Sequence, residues 1–306
     1  MIRLGTRGSA LALAQANAVA EALRRRGVPV ELQPMKTEGD RLPGARLADL
    51  GGKGLFVREI EEALADGRLD LAVHSLKDLP ADQPEGLELA AFPEREDPRD
   101  VVVTRGPGGL EALPRGAVLG TSSLRRRAFA LALRPDLVVE PLRGNVDTRL
   151  RKLADGVCDA VVLAAAGLAR LGVAPPQATV LAPDVFVPAV GQGILGLQIR
   201  RDDTTTRRLL AALDHPATRA CALAERAYLR RLGASCTTPM AAHARVREGR
   251  LAMTAVVASE DGRQVLRAEG AGAPVDAEAL GVRLAESLLE RGAEAVTPLA
   301  PRRWTS

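Results

Sequence analysis

The chain has 306 residues, 46% of them apolar and 26% charged, enough for two or three domains with sizeable cores. Aromatic residues are only 2%, which calls for an aliphatic core and removes the stacking surfaces of single-stranded nucleic-acid binders. The net charge is +4, nearly all of the basic residues are Arg, and the three cysteines (Cys158, Cys221, Cys236) form no CxxC, so neither a disulfide framework nor a zinc site is expected, and no other metal.

The first half alternates strand and helix patterns. Ile2 to Thr6 reads as a strand, Ala10 to Arg26 as an amphipathic helix ended by Gly27, and Val28 to Met35 as a second strand. The stretch 41–54, with Pro43 and four glycines, reads as a mobile loop, and 55–67 as a helix. Short strands follow at 69–74 and 87–92. This order predicts a sheet of parallel strands with helices on both faces. Charge and proline concentrate at Pro93–Asp100, a crossover by composition. A second set of units follows: strand 118–121, helix from Ser123 to about Arg134, strand 137–142, a helix from near Asn145, strand 160–163 and a helix to Leu171. Pro188–Gly193 is a second crossover, before a strand at 194–199.

From Asp214 the character changes. A long helix to about Leu232 precedes three antiparallel candidates at 242–246, 251–259 and 264–269, the last two joined by the turn Glu260-Asp261-Gly262, and a helix spans 276–291. The expected fold class is therefore α/β: two lobes with a cleft between them, plus a small α+β domain with an antiparallel sheet. The expected boundaries are 1–93 with 194–213 for lobe 1, 94–193 for lobe 2 and 214–306 for the C-terminal domain.

Four segments could carry chemistry. His74-Ser75-Leu76-Lys77-Asp78 ends a buried strand, where open α/β sheets bind ligands; Lys77 and Asp78 could be a charged anchor and a general acid/base, or a solvated turn. Thr121-Ser122-Ser123-Leu124-Arg125-Arg126-Arg127 places arginines in a first helical turn, against the helix dipole. They either project to solvent or serve an anion. Arg143-Gly144-Asn145-Val146-Asp147-Thr148-Arg149 repeats the theme, and Arg7 and Ser9 end the first strand. Together these suggest a ligand with several carboxylates or phosphates. Gly51-Gly52-Lys53-Gly54 lacks the spacing of a nucleotide-binding P-loop. Cys236 sits in a loop of small residues, as an inert buried thiol or an exposed reactive one. Cys158 and Cys221 read as buried thiols.

Taken in order, Thr6-Arg7-Gly8-Ser9, Gly51–Phe56, His74–Asp78, Glu96–Asp100, Gly120–Arg126, Leu142–Asn145, Pro188–Gly193 and the Cys236 loop resemble hydroxymethylbilane synthases, also called porphobilinogen deaminases. The resemblance covers nearly the whole chain. It implies two lobes like those of periplasmic binding proteins and a third domain whose Cys236 holds a dipyrromethane cofactor by a thioether. It also implies condensation of four porphobilinogen molecules onto that primer with loss of ammonia, then hydrolytic release of hydroxymethylbilane. By the same resemblance Asp78 is catalytic, assisting proton transfers and stabilising the cationic azafulvene. Lys77, Ser75, Thr121, Ser123, Arg125, Arg126 and Asn145 hold the cofactor. Arg7, Ser9, Gln15, Arg143, Arg149, Arg170 and Gln192 face incoming or growing pyrroles, and Lys53 and Phe56 belong to a lid. The family usually has two glycines before its cysteine; here Ala234 and Ser235 stand there.

Two other readings compete. A two-lobed binding protein for anionic solutes would share the lobes but normally carries an export signal, which Met1–Arg7 does not resemble. A nucleic-acid binder would explain the basic charge, but the arginines fall at strand ends rather than in one stripe. No apolar run nears the roughly 20 residues of a membrane span. A cytoplasmic, monomeric enzyme with a small-molecule substrate and no nucleic-acid or membrane partner is expected.

Overall fold

The computed structural model describes residues 1–35, 57–233 and 238–299. Strands β1 (Ile2–Arg7), β2 (Val30–Met35), β3 (Leu71–Ser75) and β4 (Leu87–Ala91) precede β5 (Asp100–Thr104), β6 (Val118–Gly120), β7 (Val138–Glu140), β8 (Ala160–Ala164) and β9 (Ala178–Val180). Then come β10 (Leu195–Arg200), β11 (Met240–Arg247), β12 (Arg250–Ala258) and β13 (Val265–Gly272). The helices are α1 (Ala10–Arg24), α2 (Arg58–Ala65), α3 (Leu124–Leu133), α4 (Val146–Ala154), α5 (Ala165–Leu171), α6 (Thr204–Leu210), α7 (Pro216–Leu232), α8 (Ala277–Glu290) and α9 (Ala293–Val296).

Two five-stranded sheets share one plan. Their orders are β2-β1-β3-β10-β4 and β7-β6-β8-β5-β9. In each, four strands run the same way and the fourth position holds an antiparallel strand that has just arrived from the other lobe: β10 between β3 and β4, β5 between β8 and β9. The sheets are thus mixed, where the sequence pattern predicted parallel ones. The sequence pattern does not show β5. Its Val101-Val102-Val103 core is buried on both faces, so it shows no alternation, and it abuts the charged crossover. Strand β9 and helix α6 were also unread, and α1 ends two residues before the expected Arg26.

Local signals explain the elements that frame the cleft. Ser9 caps α1, its Oγ accepting from the Ala12 amide at 3.3 Å, and α1 buries Ala16, Val19, Ala20 and Leu23 on the first sheet. Ser123 caps α3, accepting from the Arg126 amide at 3.4 Å. Helix α7 starts with His215 as cap and Pro216 in its first turn and ends at Gly233 in the left-handed region, φ +61°.

The third domain packs α7 and α8 on the sheet β11-β12-β13. Strand β12 is buried on both sides: Leu251, Met253, Ala255 and Val257 face the helices, while Val256 and Ala258 join the core of lobe 2. The helices meet at Gly281, where an added Cβ would lie 2.1 Å from the Ala224 carbonyl oxygen. The two crossovers are clamped to each other and to this domain. Arg95 donates Nη1 to Glu225 Oε1 at 2.7 Å and Nε to the Gln192 carbonyl at 2.9 Å. The fully buried Glu225 also accepts from the amides of Gly191 at 2.6 Å and Ala244 at 2.8 Å. Cys158 and Cys221 are buried. No helix among the described residues is long and apolar enough to cross a membrane.

Candidate active site

Strand β3 delivers the central residues. Beyond Ser75 the chain makes one tight 3-10 turn, Leu76–Asp78. Leu76 and Leu79 are buried at either side of it, and the Leu76 amide is tied to the Ile194 carbonyl at 2.9 Å. Anchoring those two leucines sends Lys77 and Asp78 out at the carboxyl end of the sheet, where both are half-buried.

One cavity gathers Arg7 and Ser9 from the end of β1, Gln15 from α1, His74 and Ser75 from β3, and Asp78. Gln15 Nε2 donates to Ser75 Oγ at 2.9 Å. Beneath lies a polar chain the sequence did not reveal. His74 Nε2 is 3.0 Å from Gln198 Oε1, and Gln198 Nε2 donates to Glu61 Oε1 at 2.9 Å and Gln83 Oε1 at 2.7 Å. Because a carboxamide oxygen only accepts, the proton of this contact is on His74 Nε2. Burial holds the His74 imidazole down to about 4, so it is neutral near pH 7. Burial likewise raises the Glu61 carboxyl.

Lobe 2 supplies the cations. Arg125 and Arg126, in the first turn of α3, are not solvent-facing: both are buried against Asp100 at the start of β5. Arg125 Nη1 lies 2.8 Å from Asp100 Oδ2, and Arg126 Nε and Nη2 donate to Oδ1 at 3.0 and 2.8 Å. Burial would raise the Asp100 carboxyl, but the two guanidiniums outweigh it and hold it at about 2. One carboxylate cannot neutralise two arginines. Lys77 is pushed down to about 8 by burial, with Asp78 opposing and Arg126 and Arg125 adding to the fall. Arg149 is pushed down to about 10 by burial and then by Arg126, with Asp78 opposing. These mutual repulsions mark an excess of positive charge that a ligand with several carboxylates would neutralise.

The other expected residues fall around this centre. Thr121 Oγ1 accepts from the Ser123 amide at 3.1 Å. Arg149 Nε donates to the Gly144 carbonyl at 2.8 Å. Arg143, whose carbonyl accepts from Lys152 Nζ at 3.2 Å, is half-buried, and Asn145 is exposed with no capping bond from its side chain. Gln192 and Arg170 serve the crossovers directly. Gln192 Nε2 donates to the Pro98 carbonyl at 2.7 Å while its Oε1 accepts from Lys77 Nζ at 3.4 Å. Arg170 Nη2 donates to the Gly193 carbonyl at 2.7 Å. Lys53, Phe56 and Cys236 lie outside the described residues.

Residues 2–208 match the family model described as "Porphobilinogen deaminase, dipyromethane cofactor binding domain", and residues 219–290 match "Porphobilinogen deaminase, C-terminal domain". A curated protein from Syntrophobacter fumaroxidans (strain DSM 10017 / MPOB), named "Porphobilinogen deaminase", is 49% identical over 298 residues, covering 97% of this chain and 96% of that protein. Among solved structures, an ancestral cationic amino acid solute-binding protein is similar with a TM-score of 0.45 at 16% identity, over 69% of this chain and 87% of that one. A periplasmic substrate-binding protein of an ABC transporter from Coxiella burnetii gives 0.45 at 17%, over 74% and 97%.

Proposed function

The chain belongs to the porphobilinogen deaminase family, and from that premise we propose how its residues divide the reaction. It is a transferase of porphyrin and haem biosynthesis, a hydroxymethylbilane synthase: four porphobilinogen molecules are joined head to tail onto a dipyrromethane, and hydroxymethylbilane is released by hydrolysis.

The dipyrromethane, when bound, supplies the free pyrrole α-carbon that the first substrate joins. Its acetate and propionate groups fit the excess positive charge at Lys77, Arg125 and Arg126. We assign these three, with Ser75, Thr121, Ser123 and Asn145, to holding it, and Cys236 to the thioether. Incoming and growing pyrroles fall to Arg7, Ser9, Gln15, Arg143, Arg149, Arg170 and Gln192, with Lys53 and Phe56 in a lid.

Each addition breaks the carbon–nitrogen bond of an aminomethyl group, forms a carbon–carbon bond at a pyrrole α-carbon, and releases that carbon's proton. We assign all three to Asp78. Its carboxylate keeps the departing nitrogen protonated until the bond breaks, balances the positive charge left on the ring, and accepts the α-proton. The observation that carries this reading is the shared cavity of Asp78 with Arg7, Ser9, Gln15 and Ser75. Neutral His74, held by Gln198, adds no competing charge beneath it.

Lobe 1 is assigned 1–93 and 194–213, lobe 2 94–193, and the cofactor-bearing domain 214–306. The enzyme is taken to act as a cytoplasmic monomer without nucleic acid. Intact mass measurement under denaturing conditions tests the central assignment. The wild-type chain should exceed its sequence mass by two linked pyrrole rings, and Cys236→Ser should not. An unmodified yet fully active wild-type chain would overturn it.

A further inference from the structure

A second cavity lies away from the cleft, where lobe 1 meets α7. Leu87, Leu89 and Phe92 of lobe 1 and Leu223 of α7 give it an apolar floor; Arg201, Arg219 and Arg230 also line it, with Arg226 buried in its wall. Arg219, Leu223, Arg226 and Arg230 recur at intervals of four, three and four residues, which puts them on one stripe of the helix.

The charges here do not balance within the cavity. Arg230 is paired with Asp82 at 3.1 Å, Arg219 with Asp214 at 2.7 Å, and Glu88 is taken by Arg207 at 2.8 Å. Among the described residues Arg201 and Arg226 make no ion pair. Glu278, also on the rim, offsets only one of them. Arg226 is the more telling of the two, at only 4% exposed. Its Nη2 donates to the carbonyls of Pro80 and Ala81 at 2.9 and 2.7 Å, and its Nη1 is buried without a hydrogen-bond partner. Burial and then the like charge of Arg230 push Arg226 down to about 10, with Asp82 opposing. A buried guanidinium nitrogen left unpaired is expensive and uncommon. The Arg219 guanidinium meanwhile lies over the Phe92 ring, 5.1 Å from its centre, in cation–π range.

We propose that this cavity is a second anion site, separate from the catalytic cleft, that takes a small carboxylate carried on an apolar or aromatic ring. The ring lies on Leu89 and Leu223, and the carboxylate meets the planar donors of Arg226 and Arg201. A bare inorganic anion would satisfy the arginines but leave the floor uncovered.

Calorimetric titration of the primer-loaded enzyme with phthalate, and separately with inorganic phosphate, tests this. Phthalate should saturate one site and bind at least tenfold tighter than phosphate. Arg201→Glu, a change at an exposed rim position, should weaken phthalate at least tenfold while porphobilinogen turnover stays at the wild-type rate. Arg226→Met should do the same if it folds, and Arg201→Glu decides the matter if it does not. Arg7→Gln, in the cleft, should leave phthalate binding intact. The proposal is overturned by an absence of saturable phthalate binding, by phosphate binding as tightly as phthalate, or by loss of phthalate binding in Arg7→Gln with retention in Arg201→Glu.

Discussion

Asp100 grips Arg126 through two nitrogens on a single oxygen, Nε at 3.0 Å and Nη2 at 2.8 Å, at a point where both side chains are almost wholly shielded from water. Arg125 and Arg126 are therefore held by a strand that has crossed from the other lobe.

Asp100→Asn keeps the shape but deletes the carboxylate that pairs with both Arg125 and Arg126. Two buried guanidiniums are left facing each other, a loss of about 3–5 kcal/mol. Urea unfolding should register it, and a variant as stable as the wild type would show that the pair is not charge-dependent.

Asp78→Ala should leave the fold and the primer in place, because Leu76 and Leu79 anchor the turn rather than Asp78. Turnover should fall by at least about 100-fold, the scale of a general acid/base. Intact mass and circular dichroism check the first part and ammonia release the second. Substantial activity would remove Asp78 from the reaction.

Two buried histidines give the stability an acid slope. His74, by burial, and His243, by burial and then by Arg95, Arg245 and Arg247, are each lowered from 6.5 to about 4. Between those values the unfolded chain binds a proton that the folded chain refuses, so stability rises with pH across the window and is lost as pH falls through it. Each contributes on the order of 3 kcal/mol at full effect. Unfolding free energies measured from pH 4 to 7 should flatten in His74→Gln, and an unchanged slope would contradict the assignment.

Gly281→Ala should destabilise the third domain by about 1–3 kcal/mol through overpacking, since the new methyl would meet the Ala224 carbonyl oxygen at 2.1 Å. Thermal unfolding of this variant beside Gly272→Ala, where the added Cβ has open space, separates the contact from the general effect of losing a glycine.

The sequence pattern carried the lobes, the crossovers and the third domain because their helices and hairpin follow ordinary periodicity and turn chemistry, with Ser123 at the start of its helix and Gly262 in the hairpin turn. The segments holding Asp78, Arg125 and Arg126 were legible as strand ends and broken helix rules. What was not legible depends on partners far apart in the chain. Asp100 looked like part of a charged crossover, and only the antiparallel pairing of β5 with β8 shows it inside the sheet. The link from His74 to Gln198 spans 124 residues, and no local pattern in either strand announces it. Nor does any local pattern announce that Gln192 and Arg170 each donate to a carbonyl of a crossover segment.

The antiparallel strand in the fourth position of the first sheet also dictates an order of assembly. Strand β10 lies between β3 and β4, so the sheet begun at Ile2 stays open until residue 200 has been made. On a translating ribosome lobe 2 emerges whole in that interval and can fold as a unit. The first lobe to be synthesised is then completed after the second, and its β3 and β4 edges need shelter until the returning strand arrives.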